Sequence, residues 1–231
     1  VLNARKWTRE FDFGDLGQLL AVNGYAFDLV NDDVIQRADL NKGALHLREM
    51  AYRVLLLPGI EFIPVETFRQ IKNYVLGGGT VIALERIPEV ATGLQNNKEN
   101  DEEVRQISTA LFRLPLGTED DGMNVYGSGK TFCLKQVLAR EDPLDWRIAP
   151  LDPFLKTLRQ ITGPDLESER VPPGRGNDEG MAFIHRQSED RDIYFVSNLQ
   201  HTASQKPLGF RVNNGQPYCW DSHTGNRQTV G

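Results

Sequence analysis

The clearest pattern of apolar and polar positions runs through residues 52–85. The segment "YRVLLLPG" contains a continuous apolar run that ends at Pro58 and Gly59, which predicts a strand buried on both faces. In "IPVETFRQIKNYVLGGG" apolar residues recur at helical spacing between Val65 and Val75, and the glycines predict the end of that helix. The segment "TVIALE" predicts a second buried strand. A strand, a helix and a strand in this order predict a β-α-β unit, in which the two strands are parallel.

The segments on either side of this unit extend the α/β pattern. Residues 14–23 are predicted to form a helix, "YAFDLV" gives a strand-like run, and "ALHLR" gives a short strand before the central one. The segments "TFCLKQVLARED" and "DPFLKTLRQITG" complete the pattern. We therefore predict an α/β domain with an open, parallel, flavodoxin-like sheet over residues 1–166. A further helix in "DEEVRQISTALFRL" is predicted from the apolar residues of one face, which are Val104, Ile107, Ala110, Leu111 and Leu114.

From about Met181 the apolar period changes to that of strands. The segment "GMAFIHRQSEDRDIYFVSN" predicts two strands around a polar turn, and "LGFRVNNGQPYCW" predicts a hairpin around residues 213–215. Residues 167–180 contain two prolines and three glycines, which predict a linker or a long loop. Residues 181–231 are therefore predicted to form a small antiparallel β module. Its strand pattern is unfinished, so we expect an exposed strand edge that pairs readily with another copy.

Composition and charge narrow the classes of function. A net charge of -6 argues against nucleic acid or an anionic membrane as the main partner, and no apolar run approaches the roughly 18 residues that span a bilayer. Cys133 and Cys219 are too few for a disulfide scaffold or a zinc site, and both are predicted to be single buried thiols. The chain begins at Val1 and ends at Gly231 inside a strand-like pattern, so we expect a longer polypeptide. No metal-ligand spacing, and hence no metal or cofactor, is predicted for the four histidines, His46, His185, His201 and His223.

The string GSGKT within "MNVYGSGKTFCLKQVL" invites comparison with a phosphate-binding loop. That loop requires G-x-x-x-x-G-K-[ST] between a strand and a helix. Counting back from Gly129, the position of the first glycine is occupied by Asn124. The residues after Lys130 are β-branched and aromatic and favour a strand. The sequence therefore predicts a glycine turn between two strands and excludes a P-loop.

Two carboxylates are the candidates for chemistry. Ligands of open α/β sheets bind at the carboxyl ends of the strands, and Glu61 and Glu85 follow two such ends. A pair of carboxylates could act together in hydrolysis. The alternative, which we favour, is that Glu85 caps or forms an ion pair with Arg86 while Glu61 is solvated, because charged residues are common at strand ends.

Other polar residues indicate structural roles. His185 alternates with Phe183 in a strand and is predicted to be partly buried. The chain has no G-x-S-x-G nucleophile elbow. In "WDSHTG", Asp221 and Gly225 predict a tight turn, since neighbours along the chain cannot form a catalytic triad. Trp220 is predicted to be a core residue or, less often, an interface anchor.

The strand, turn, helix and strand from "YRVLLLPG" to "TVIALE" resemble the core of the class I glutamine amidotransferase-like fold. Active members of that group have a cysteine in a sharp turn after the second strand. The matching place in this sequence falls at about Glu85. The resemblance therefore implies an amidotransferase-like fold without its thiolate nucleophile.

A larger part of the chain, from about Asp12 to Thr229, resembles family 106 glycoside hydrolases, the α-L-rhamnosidases. The resemblance is carried by "MAYRVLLLPGIEFIPVETFRQIKNYVLGGGTVIALERIPEVATG", by "YGSGKTFCLKQVLA", and by the "YFVSN" run with the "WDSHTG" turn. It implies a noncatalytic domain and the start of a β-sandwich. It also implies that the hydrolytic carboxylates and a calcium site belong to a preceding barrel, so no catalytic residue is carried over. The family further implies a secreted or periplasmic protein.

Three hypotheses follow. The first is a noncatalytic accessory segment that supports the barrel, with neighbouring domains of the same polypeptide as partners and carbohydrate reached through the parent enzyme. The second is a stand-alone carbohydrate-binding or protein-interaction module, which requires exposed aromatic residues such as Trp7 or Trp220. The third is an independent hydrolase, with the carboxyl groups of Glu61 and Glu85 about 5 to 10 Å apart. A homo-oligomer is open under each hypothesis.

Overall fold

The protein has a mixed α/β architecture in a computed structural model. Among the described residues the helices are α1 (Asp12–Val22), α2 (Asp32–Arg37), α3 (Val65–Leu76), α4 (Asn97–Phe112) and α5 (Pro153–Ile161). The strands are β1 (Asp39–Asn41), β2 (Ala44–Leu47), β3 (Met50–Tyr52), β4 (Val54–Pro58), β5 (Phe62–Ile63), β6 (Thr80–Leu84), β7 (Val90–Ala91), β8 (Gly122–Tyr126), β9 (Gly129–Leu134), β10 (Leu166–Ser168), β11 (Met181–Gln187), β12 (Asp192–Asn198), β13 (Leu208–Phe210), β14 (Tyr218–Trp220) and β15 (Arg227–Thr229). The structure describes residues 12–93, 95–114, 121–135, 153–168, 181–188, 190–199, 201–203, 205, 207–212 and 215–230.

The central sheet has four strands in the order β4-β6-β9-β8. Strands β4, β6 and β9 are parallel, and β8 pairs with β9 in the antiparallel direction. Helix α3 connects β4 to β6, so the predicted β-α-β unit is confirmed. The predicted helices that correspond to α1 and α4 are also confirmed.

Helices cover both faces of this sheet, which explains why its central strand β6 is apolar and buried from Val81 to Leu84. Val81 and Ala83 of β6 point into a core cluster with residues of α3 and α4. Ile82 and Leu84 point to the other side, into a cluster with residues of α1 and α5. A strand buried on both faces loses the alternation of apolar and polar residues, as the sequence indicated.

The GSGKT string forms the predicted glycine turn, since β8 and β9 pair around residues 127 and 128. A Cβ atom at Gly129 would lie 2.2 Å from the carbonyl oxygen of Val75 and 2.3 Å from that of Gly79. Strand β9 therefore passes too close to the end of α3 for any other residue. The glycine has a packing role.

Two segments before the central sheet differ in outcome. The predicted strand "ALHL" is β2, which lies in a separate antiparallel sheet of order β1-β2-β3. The prediction of a strand in "YAFDLV" is wrong, because residues 25–31 form no strand. The backbone N–H of Ala26 donates to the side chain of Asp165 at 2.8 Å, so a distant carboxylate takes the hydrogen bond that a strand partner would have made.

The β module follows the prediction in one hairpin and departs from it in another. Strands β11 and β12 pair over their whole length, as predicted. The hairpin predicted in "LGFRVNNGQPYCW" is wrong, because β13 pairs with β10 and β14 pairs with β15. The backbone N–H of Arg211 continues the β10 pairing by donating to the oxygen of Asp165 at 2.9 Å. Residues 213 and 214, the predicted turn, lie outside the described residues.

Strand β10 includes residues 167 and 168, the start of the predicted linker, while residues 169–180 lie outside the described part of the chain. The domain boundaries stay predictions.

Cys133 is buried, and burial raises the pKa of its thiol. The expectation of buried thiols is wrong for Cys219, which is exposed. Within the described ranges, no helix is long and apolar enough to cross a membrane.

Candidate functional site

The carboxyl edge of the parallel sheet contains a sharp turn at Glu85, about where the resemblance to amidotransferase-like proteins implied one. This residue follows β6 with a φ of 65°, a left-handed conformation that costs a residue with a Cβ atom roughly 1–2 kcal/mol. Its backbone N–H donates to the oxygen of Leu134 at 2.7 Å, so the neighbouring strand holds the turn in place. Strained backbone of this kind occurs often at functional sites, which keeps the edge a candidate.

The second candidate at this edge, Glu61, forms an ion pair. Its Oε2 atom accepts a hydrogen bond from Nη1 of Arg86 at 2.6 Å. The expectation that Glu61 is only solvated is therefore corrected. Both side chains are about half-exposed, and exposed pairs of this kind stabilise a fold by about 0–1 kcal/mol. The paired action of Glu61 and Glu85 stays a prediction.

A second cluster lies where the β module meets the α/β part, and Asp165 is at its centre. Asp165 follows the end of α5, and its side chain is 5% exposed. One carboxylate oxygen accepts from the backbone N–H of Ala26 at 2.8 Å. The other accepts from Nη2 of Arg211 and lies 2.8 Å from Nδ1 of His185. We call the group of Asp165, His185, Asp192 and Arg211 the Asp165 junction.

The β11–β12 hairpin contributes the histidine side of the junction. His185 lies on β11, and its second ring nitrogen, Nε2, is 2.9 Å from an oxygen of Asp192 on β12. The ring stacks on the cross-strand neighbour Tyr194, with centroids 4.1 Å apart. The hydroxyl of Tyr194 donates to the backbone oxygen of Arg211 at 2.9 Å. The predicted partial burial of His185 is confirmed, since its side chain is 11% exposed.

Burial, hydrogen bonds and neighbouring charges together shift the pKa values of Asp165 and Tyr194. Burial by itself raises the pKa of Asp165, but hydrogen bonds from Ala26, Arg211 and His185 outweigh it and the net pKa lies below the ordinary value. Burial, helped by the charge of Asp165, raises the pKa of Tyr194 to about 12. The structure therefore favours an ionised Asp165 beside a neutral Tyr194.

The arrangement of the Asp165 junction favours a connecting role over catalysis. Both oxygens of Asp165 already accept hydrogen bonds from protein donors, and both ring nitrogens of His185 already lie against carboxylate oxygens. Arg211 also donates through Nη1 to the hydroxyl of Thr162 at 3.0 Å, next to the end of α5. No group of three or more His, Cys, Asp or Glu side chains in the described ranges could hold a metal ion.

Sequence reasoning found only one member of this junction. Asp165 follows Gly163 and Pro164 and resembles an ordinary turn residue, and Asp192 follows a polar turn. Nothing in the local pattern signals that residues so far apart in the chain meet. The available signal was His185, whose place in an alternating strand indicated partial burial and hence the need for polar partners.

The distal hairpin places aromatic side chains in solvent. Trp220 is 65% exposed and Tyr218 is 56% exposed, and alternation along β14 puts both on one face. The prediction of a core role for Trp220 is wrong. The guanidinium of Arg227 lies 5.5 Å from the centroid of the Trp220 ring. Trp7, the other aromatic named as a marker of a binding module, lies outside the described residues.

The predicted tight turn follows Trp220 and is confirmed. The side chain of Asp221 accepts from the backbone N–H groups of His223 and Thr224, at 2.8 and 2.9 Å. The backbone N–H of Gly225 donates to the oxygen of Asp221 at 2.8 Å. These bonds account for the W-D-x-x-T-G pattern by the geometry of a turn.

Solved structures similar to this chain show where such a mixed α/β fold occurs. The family 42 β-galactosidase Gan42B matches with a TM-score of 0.52 and 14% identity, covering 94% of this chain and 33% of its own. A catalytic mutant of Gan42B from G. stearothermophilus matches with a TM-score of 0.53 and 13% identity, covering 99% of this chain and 34% of its own. The fold is therefore shared with part of a large glycoside hydrolase.

Sequence comparison identifies the family. Residues 18–231 match glycoside hydrolase family 106, described as alpha-L-rhamnosidase, and the chain belongs to this family. A protein of Formosa agariphila with the provisional name beta-glucuronidase is 27% identical over 203 residues. That match covers 87% of this chain and 14% of the relative, so the chain spans about one seventh of the length of this relative.

Proposed function

We propose that this chain is a noncatalytic accessory segment of a longer family 106 glycoside hydrolase, supporting a catalytic barrel outside residues 1–231. In this proposal the α/β part has the class I glutamine amidotransferase-like fold, with Glu85 in the sharp turn that a cysteine occupies in active members. A carboxylate there cannot replace a thiolate nucleophile, so amide hydrolysis is not expected. Carbohydrate would be reached through the parent enzyme.

The observation that carries the proposal is the outer face of the β11–β12 hairpin. Ile184, Ile193 and Phe195 lie on this face and are 51%, 54% and 56% exposed. A two-stranded sheet is marginally stable alone and normally requires further strands or a packed helix. Clustered exposed apolar side chains mark interaction surfaces. Together they support contact with neighbouring domains of the same polypeptide.

Hydrolysis assays test the proposal. The purified 231-residue chain and the longer parent protein would be given aryl α-L-rhamnoside, β-glucuronide and β-galactoside substrates. We expect no turnover by the chain and turnover of at least one substrate by the parent. In the parent, Phe195→Asp should lower the melting temperature, while Val125→Asp, at a similarly exposed site on the edge strand β8, should leave it nearly unchanged. Turnover by the chain alone would overturn the proposal.

Exposed aromatic residues favour a second candidate function, direct carbohydrate binding by the β14–β15 hairpin. Tyr218 and Trp220 present adjacent rings, and such rings stack on the apolar faces of sugars. Affinity electrophoresis with oligosaccharides would detect this. Trp220→Ala should abolish binding and Phe62→Ala, which removes an exposed aromatic ring elsewhere, should preserve it. Equal mobility of all three proteins with and without sugar would exclude this function.

The third hypothesis, an independent hydrolase using Glu61 and Glu85, is the least supported, because Glu61 is held by Arg86 at the surface. The same hydrolysis assay addresses it. Turnover by the 231-residue chain that is abolished by Glu61→Gln or by Glu85→Gln would establish these carboxylates as an active site and replace the accessory proposal.

A further inference from the structure

We propose that the Asp165 junction is a proton-operated latch, which holds the β11–β12 hairpin against the α/β part only while the His185 ring carries both of its protons. The hairpin reaches the α/β part through His185, Tyr194 and the segment around Arg211. Of these side chains, the histidine ring is the one whose number of N–H donors depends on its protonation state.

Counting donors and acceptors shows that the two contacts of His185 require a protonated ring. Nδ1 of His185 is 2.8 Å from an oxygen of Asp165, and Nε2 is 2.9 Å from an oxygen of Asp192. An ionised carboxylate can only accept, whereas a neutral imidazole has one N–H donor and one acceptor nitrogen. Both contacts are hydrogen bonds only if the ring is protonated. In the neutral ring, one nitrogen lone pair faces a carboxylate oxygen.

The charges around the His185 ring also favour its protonated form. The segment after α5 contributes Asp165, strand β12 contributes Asp192 and the stacked ring of Tyr194, and the segment after β13 contributes Arg211. Tyr25 lies further out and interacts with Asp165, Arg211 and a further cation, Arg159. Among the groups in direct contact, a protonated ring and Arg211 together balance the charges of Asp165 and Asp192. Loss of the ring proton leaves these four groups with one net negative charge, at a site where Asp165 is almost fully buried.

Loss of the His185 proton should destabilise the β11–β12 hairpin before it affects the central sheet. The central sheet is held by two apolar clusters that do not include His185. The hairpin, by contrast, is exposed along its outer face. Raising the pH should therefore open the hairpin locally while β4 and β6 stay protected.

Hydrogen exchange of the 231-residue chain tests the latch. Protection factors of peptides from residues 181–198 and from residues 80–84 would be measured between pH 5.5 and 8.5 and corrected for the intrinsic exchange rate. Protection of the hairpin should fall about tenfold as pH rises, the order expected for one hydrogen bond to a charged group. Protection of β6 should stay constant. A hairpin whose protection is constant over the same range would overturn the proposal.

Two variants identify the group responsible. In Asp192→Asn the new amide can donate to Nε2 of a neutral ring while Nδ1–H still bonds Asp165, so hairpin protection should become independent of pH. In His185→Gln protection should be low at every pH. A fall in Asp192→Asn equal to that of the unmodified protein would assign the pH response to another group, such as His46, and would also overturn the latch.

Discussion

Gly129 lies where β9 passes the end of α3, and its lack of a side chain is what permits that approach. The oxygens of Val75 and Gly79 would be 2.2 and 2.3 Å from a Cβ atom there. Both obstacles are backbone atoms, which cannot rotate away as a side chain can. At the scale of single residues, the fold therefore depends on Gly129 for packing, whereas the GSGKT string had invited comparison with a phosphate-binding loop.

Gly129→Ala should destabilise the protein by about 2–4 kcal/mol, because the backbone must shift to relieve the clash. Urea denaturation of both proteins would measure this difference. The matched control is Gly163→Ala, where a Cβ atom would meet nothing within 4 Å. That variant should change the free energy of unfolding by less than about 1 kcal/mol. Equal effects of the two substitutions would contradict the packing role.

Asp165 should make the protein acid-sensitive. Its pKa in the folded state lies below the ordinary value of 3.8, so its ionised form stabilises the fold above that pH. This contribution is lost as the pH falls below 3.8 and through the folded pKa. At neutral pH, Asp165→Asn should lower the free energy of unfolding by about 3–5 kcal/mol, because it leaves Arg211 and His185 without their buried anion.

Chemical denaturation of Asp165→Asn and of the unmodified protein at pH 7 and at pH 3 would test this. The difference between the two proteins should shrink at the lower pH. Asp33→Asn is the control, because Asp33 lies at the surface and its loss should cost little at either pH. A difference that is the same at both pH values would contradict the assignment to an ionised Asp165.

At the scale of elements, helix α3 shows which contacts hold the α/β layers together. Its buried face contains Phe68, Ile71 and Val75, none of which is exposed at all. Its outer face contains Arg69, whose guanidinium forms two hydrogen bonds of 2.6 Å to Glu103 on α4. Arg69 lowers the pKa of Glu103 through these bonds. The pair is largely solvated, so water and salt screen most of its attraction.

The two kinds of contact should differ in their mutational cost. Phe68→Ala should lower the free energy of unfolding by about 3–5 kcal/mol, from lost burial and the cavity that remains. Glu103→Gln should cost less than about 1 kcal/mol. Urea denaturation at low and high salt would compare them, with salt affecting only the unmodified ion pair. A larger cost for Glu103→Gln would mean that the ion pair, and not the apolar face, fixes α3.

At the scale of the whole molecule, the two parts differ in how their surfaces are covered. The central sheet has helices on both faces. The β module consists of two-stranded sheets in the described residues, and strand β10 joins it to the α/β part by pairing with β13. The Asp165 junction lies beside this pairing. The junction and β10 therefore hold the hairpin whose outer apolar face is exposed among the described residues.

That face should make the 231-residue chain self-associate. Sedimentation velocity over a wide concentration range should show an average mass that rises above the monomer, because exposed apolar strands pair or pack with other copies. Phe195→Asp should reduce the association, and Val125→Asp should not. A strictly monomeric state at all concentrations would count against this surface as an interface.

Local sequence determined the parts of this protein whose neighbours lie close along the chain. The glycine turn of GSGKT, the β11–β12 hairpin and the Asp221 turn follow from periodicity and turn chemistry, since their hydrogen bonds join nearby residues. The β-α-β unit was also predicted from the sequence, because two apolar strands joined by one helix pair in parallel. Sequence also carried the family resemblance. Only the tertiary structure decided that β13 pairs with β10, that residues 25–31 form no strand, and that Asp165, His185 and Arg211 meet. These contacts bridge distant segments, and their partners are chosen by the packing of whole elements, which no local pattern encodes.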